Sequence, residues 1–163
     1  MITAIASKYT HWLPIAAICA IGVLAEEVIT PSVVVGQSMC PTLNNENNTD
    51  TDIILVNKLN RFNVNIGDVV CFRSPTDPAK IFIKRVLAKE GEWIPVDQDG
   101  ITVPFQVPKG HTWVEGDNTF HSYDSRLLGP IPLGLMLGKA THVVWPPHKF
   151  SKIDTTVTER RNV

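Results

Sequence analysis

The pattern of apolar and polar positions divides the chain into three stretches. Trp12 to Ala25 is a run of fourteen residues without a charge. As a helix rising about 1.5 Å per residue it covers about 21 Å, short of the ~30 Å hydrocarbon core of a bilayer. Starting the run at Tyr9 makes a span possible. Lys8 precedes it and Glu26-Glu27 follows, so the positive end stays on the side of synthesis. A cleaved leader is the rival reading. No A-x-A site follows, however, and the acidic pair stands where small residues belong. Residues 1–30 therefore read as an uncleaved anchor, and the absence of arginine there argues against an Arg-rich transit peptide.

Asn44 to Asp52 is polar and turn-rich, a surface loop carrying the glycosylation sequon Asn47-Asn48-Thr49. From there to residue 147 no helical period is sustained. Short β-prone runs alternate with turn residues: 53–56, 68–73, 81–88, 93–96, 101–106, 112–115 and 140–145. This spacing predicts a mainly β fold of coiled antiparallel sheets, barrel-like, with a short helix around Pro132–Leu137. The predicted β-rich domain covers 31–150, and 151–163 reads as a polar, frayed tail.

Composition narrows the picture. With 163 residues the chain holds one domain plus the anchor, and a net charge of −1 gives no electrostatic case for nucleic acid. Three unclustered cysteines (Cys19, Cys40, Cys71) and five histidines without ligand spacing give neither a disulfide framework nor a metal site. No cofactor is expected.

Candidate chemistry begins at Gly36-Gln37-Ser38-Met39-Cys40-Pro41-Thr42-Leu43, just past the anchor. Pro41 fixes its own φ and biases Cys40 away from helix, so Ser38 should sit on immobile extended backbone. The bland reading is a loop serine; the functional one is a nucleophile held beside a membrane, which needs a base. In the run 81–88, strand alternation puts Lys84 on one face with Phe82 and Val86, and Arg85 on the other. Such a lysine either snorkels to water or is desolvated, and desolvation lowers its pKa toward that of a usable base. The polar stretch 116–126 supplies hydroxyls, carboxylates and an arginine that could orient it.

Together, Ser38-Met39-Cys40-Pro41-Thr42, Gly67-Asp68-Val69-Val70, Lys84-Arg85-Val86 with Gly91-Glu92, and Gly116-Asp117-Asn118 with Ser122-Tyr123-Asp124-Ser125-Arg126 resemble the type I signal peptidases. The blocks fall in the family's order and spacing over residues 32–147. The ending, with Val114-Glu115-Gly116-Asp117 and Trp145-Pro146-Pro147, resembles the mitochondrial inner-membrane branch, its subunit 2 more than its subunit 1. The resemblance implies a serine endopeptidase with Ser38 as nucleophile and Lys84 as general base. It implies that Ser122 orients the lysine, and that Asp117, Asp124 and Arg126 form structural ion pairs with Arg85 as a partner. The strand Ser32–Val35, with Val33, Val35 and Gly36, would bind substrate as an added strand.

The implied substrates are membrane-tethered preproteins with small residues at the positions one and three before the cut. The implied setting is a heterodimer with a homologous peptidase subunit 1, at the mitochondrial inner membrane with the domain in the intermembrane space. Gly36 stands where many bacterial relatives place a serine that donates to the oxyanion, which leaves backbone N–H groups for that task. Three alternatives stay open: a Ser38–His121–Asp117 triad, a non-catalytic β-rich partner stabilising an active sister subunit, and a self-cleaving repressor. The last lacks the DNA-binding helices it would need at the N-terminus.

Overall fold

The computed structural model describes residues 28–44, 51–98 and 100–157. The expected anchor near residues 9–25 and the sequon at Asn47 lie outside them, and among the described residues no helix is long and apolar enough to cross a membrane. Among the described residues ten strands follow in order: β1 (Ile29–Val33), β2 (Ile53–Asn57), β3 (Val69–Arg73), β4 (Ile81–Lys89), β5 (Trp93–Gln98), β6 (Ile101–Gln106), β7 (His111–Glu115), β8 (Ile131–Pro132), β9 (Met136–Trp145) and β10 (Ser151–Lys152). A short helix, α1 (Ser125–Leu128), precedes β8. The main sheet runs β1-β2-β9-β3-β4-β7-β8 with β10 on β9, while β5 and β6 form a separate hairpin. Every pairing is antiparallel.

The sheet curls on itself. In a flat sheet, β1 and β4 would stand about 19 Å apart, four steps of ~4.8 Å. Yet residues of both line one cleft. Register shifts along β9 against β2 and β3, and along β4 against β7, supply the bends. The two faces of β3 feed two cores. Val69 and Cys71 pack with Met39, Leu43 and Ile54, while Val70 and Phe72 pack with Val86, Val114 and Met136. Burial on both faces of a central strand is what its continuous run of apolar residues allows. A third cluster, with Ile94 and Trp113, seats the β5–β6 hairpin.

Two sequence expectations give way. The short helix expected around Pro132–Leu137 forms only in part. Ile131–Pro132 pairs with β7, Leu133–Leu135 makes a single 3₁₀ turn, and Met136 opens β9 four residues before the strand predicted from Ala140. The described part of the tail is not frayed. Ser151–Lys152 pairs with β9, Ile153 is 4% exposed within the first core, and the Asp154 carbonyl accepts from Arg85 Nη1 at 2.7 Å.

Two features of this topology create the site. β1 is an edge strand that runs directly into the Ser38 turn. β4 pairs with β7 only from Arg85 onward, so from Ile81 to Lys84 one flank of β4 has no neighbouring strand. Between these open edges lies the cleft, about 280 Å³ in volume.

Candidate active site

Residues 38–42 form a turn whose fixity comes from what flanks Ser38. Leu43 N–H donates to the Met39 carbonyl at 2.8 Å, and Met39 and Leu43 are both buried in the core. Asn118 N–H donates to the Ser38 carbonyl at 3.1 Å, tying the turn to the loop after β7. The Cys40–Pro41 peptide bond is cis. Cys40 is buried and its thiol donates to the Asn44 carbonyl, so it packs the turn.

Lys84 arrives from β4. It is 3% exposed, with Nζ 2.8 Å from Ser38 Oγ and 2.7 Å from the carbonyl of Ile83. Phe82, on the same face of the strand, brings its ring centroid to 5.6 Å from Nζ. Burial lowers the lysine from its ordinary 10.5 to about 8, against the opposing pull of the Asp124 and Asp117 carboxylates. As a free amine, Nζ has two N–H groups and one lone pair. With one N–H donated to Ile83 O, the lone pair is free to face Ser38 Oγ, the geometry a general base requires.

The carboxylates that could have kept Lys84 charged are spent elsewhere. Asp117 takes a bidentate pair from Arg85, both bonds 2.8 Å, and a 2.5 Å bond from Thr42 Oγ1. Arg85 also donates to the carbonyls of Gly67 and Asp154. Asp124 takes Arg126 Nε at 2.9 Å, Arg126 Nη2 at 2.8 Å and Gly116 N–H at 3.0 Å. Burial pushes the Asp124 carboxyl up, but the Arg126 guanidinium and the Gly116 N–H outweigh it and hold the carboxyl below its usual range. Gly116 lies where these elements converge. A Cβ there would collide with Ser122 Oγ and the Ser38 carbonyl.

Most of the residues singled out in the sequence thus meet: Ser38 with Lys84, Arg85 with Asp117, Arg126 with Asp124. Ser122 does not join Lys84 by a hydrogen bond. Its Oγ is buried without a hydrogen-bond partner among the described residues, close enough to Asp124 to favour the carboxylate without bonding geometry. His121 is exposed, and its Nδ1 faces Asn118 Oδ1 at 3.4 Å rather than Ser38. Val33 and Val35 line the cleft with Ser38, Ile83 and Lys84, whereas Gly36, exposed at φ +88°, marks the turn beyond. Cys71 also lines the cleft, its thiol pushed up by burial to about 12 and therefore neutral. Sequence reasoning passed over Thr42, Asn44 and Asp52. The Pro-Thr of the serine block pointed to the first, while nothing in the polar run 44–52 set Asn44 and Asp52 apart.

This constellation can be set beside known proteins. A mouse relative named mitochondrial inner membrane protease subunit 2 is 40% identical over 129 residues, 77% of this chain and 73% of its own. An Arabidopsis thaliana relative, named mitochondrial ATP-independent inner membrane protease subunit 1a, is 41% identical over 142 residues, 83% of this chain and 82% of its own. A crystal structure of a signal peptidase I from Enterococcus faecalis aligns at a TM-score of 0.40 and 21% identity, covering 47% of this chain and 95% of that one. The family profile described as signal peptidase, peptidase S26 matches residues 8–104 and 102–145, nearly the whole span that builds the cleft and its walls. The chain belongs to the signal peptidase, peptidase S26 family.

Proposed function

We propose that this protein is a membrane-anchored serine endopeptidase that removes sorting peptides from preproteins delivered to the mitochondrial intermembrane space. The observation that carries the reading is the 2.8 Å approach of a buried Lys84 amine to Ser38 Oγ at the floor of an open-edged cleft. A preprotein strand would enter between β1 and the unpaired flank of β4, bonding through its main chain, with Val33 and Val35 against its small side chains. As the Ser38 Oγ–carbonyl carbon bond forms, the hydroxyl proton passes to Lys84 Nζ. The resulting ammonium gives that proton to the departing amine as the C–N bond breaks, leaving an acyl ester on Ser38. Water then repeats the sequence in reverse roles. Ser38 N–H, which has no acceptor among the described residues, is the donor aimed at the developing oxyanion. Ser122 Oγ, buried and unpartnered, would orient the lysine by taking its remaining N–H when substrate closes the site.

Residues 1–30 would anchor the chain, 31–150 form the peptidase domain, and a homologous subunit 1 complete a heterodimer; the naming of relatives as subunits 1 and 2 of a mitochondrial inner membrane protease supports the pairing. Processing of a reporter preprotein by full-length variants tests the mechanism. Lys84→Arg keeps the charge but cannot release a proton at working pH, so it should be as inactive as Ser38→Ala, with both proteins accumulating normally. His121→Ala should cut. Cutting by Lys84→Arg, and none by His121→Ala, would replace the dyad with a histidine triad. Cutting by Ser38→Ala would leave only the non-catalytic partner role. A glycan on Asn47 in the native host would move the domain to the secretory lumen.

A further inference from the structure

Every polar atom of Asn44 is engaged. Its N–H donates to Asp52 Oδ2 at 2.8 Å, its Oδ1 accepts Asp52 N–H at 2.9 Å, and its carbonyl takes the Cys40 thiol. Its Nδ2 donates to two carbonyls at once, Val34 O at 2.8 Å and Gly36 O at 3.0 Å. The amide cannot be flipped, because Oδ1 would then face two carbonyl oxygens. Asparagine also tolerates the φ of +52° that this position adopts. Asp52 is 2% exposed and completes the frame. Its carbonyl accepts Val34 N–H at 2.9 Å, and its Oδ1 takes Lys149 Nζ at 3.0 Å.

The consequence falls on the residue between the two captured carbonyls. Main-chain groups of successive residues in an extended chain face opposite sides. With Val34 N–H and C=O both turned inward, Val35 N–H and C=O turn out toward the cleft. Neither has a partner among the described residues, and Val35 is 86% exposed on the cleft wall three residues before Ser38. We propose that Asn44 is a positioning residue for the substrate strand: by holding Val34 and Gly36 inward it presents the Val35 main chain to the incoming peptide, and so sets which peptide bond lies over Ser38. The proposal rests on the endopeptidase reading above, and it names how that site chooses its cut.

The test uses the full-length chain in detergent and an internally quenched peptide with alanine at the positions one and three before the cut. Asn44→Gly accepts the positive φ but loses both bonds to the strand. Two weakened peptide bonds to Val35 should raise KM about tenfold. Meanwhile kcat and the pH at which activity breaks should stay as in the wild type, and mass spectrometry should find secondary cuts at neighbouring bonds. Asn44→Asp, whose carboxylate cannot donate, should behave alike. A fall in kcat, a moved pH profile or a single unshifted cut would overturn the proposal. So would failure of both variants to fold, since Asn44 would then serve the fold and not the cleft. Ser38→Ala in the same assay separates the two readings, because cutting there would defeat the endopeptidase reading whatever Asn44 does.

Discussion

Lowering the pH from 8 to 6 should cut kcat/KM about 50-fold, because it removes the free amine of Lys84. With its pKa lowered to about 8 by burial, half of the amine is unprotonated at pH 8 and about 1% at pH 6. At pH 7 about a tenth is free, about 300-fold more than a lysine at 10.5 would offer. The same burial must appear in the stability of the fold. The native state releases the proton near 8 while the unfolded chain holds it to 10.5. Between those values the unfolded state binds more protons, so stability rises with pH, by about 1.4 kcal/mol per unit and about 3 kcal/mol in all. Below pH 8 both states are protonated and the full deficit is present. Lys84→Met has no such group, so the stability gap between the two proteins should narrow by that amount from pH 8 to 10.5. The assays are pH-resolved peptide cleavage and urea unfolding of the full-length proteins in detergent. An activity break near 6.5 would point to an imidazole, and a pH-independent stability gap would show that Lys84 does not titrate as a buried amine. Either result refutes the reasoning.

Two further outcomes follow from the walls of the site. Arg85→Lys keeps the charge but cannot reach Asp117 twice and two carbonyls as well; about 2 kcal/mol of stability should be lost, read as a lower urea midpoint. Gly116→Ala should lower kcat about 100-fold and lower the urea midpoint as well, since the added methyl meets the Ser38 carbonyl, which is main chain, and Ser122; an active Gly116→Ala enzyme of unchanged midpoint would show that the turn accommodates the shift.

Where local pattern and tertiary demand agreed, the sequence was legible. Ile53–Val56 and Ile101–Gln106 alternate or run apolar between turn residues, and both are strands. The apolar flank of Lys84 on its own strand face announced the desolvation that lowers its pKa. Pairing partners were not legible. Pro132 and the Leu133-Gly134-Leu135 sequence look like a helix start until Ile131 and Met136 are seen committed to β7 and to the central sheet. β1 was obscured at Pro31, which an edge strand tolerates because its missing N–H need not face a neighbour. The tail looked frayed because Ile153, Val157 and Val163 stand apart among polar residues and leave no period to read. Asn44 was invisible for a related reason: its part is set by distant carbonyls, and composition marks it only as another loop asparagine.

The contact between Arg85 and Asp154 ties the walls of the cleft to a distant part of the chain. Of the two carbonyls that hold this arginine, one lies 69 residues further along the sequence. The strand pair at Ser151–Lys152 and the Ile153 plug arrive with it. Ser38 and Lys84 precede these residues, yet the frame around them closes only once 151–154 are in place. A chain cut short before Ser151 would therefore hold its serine and lysine in an unfinished setting.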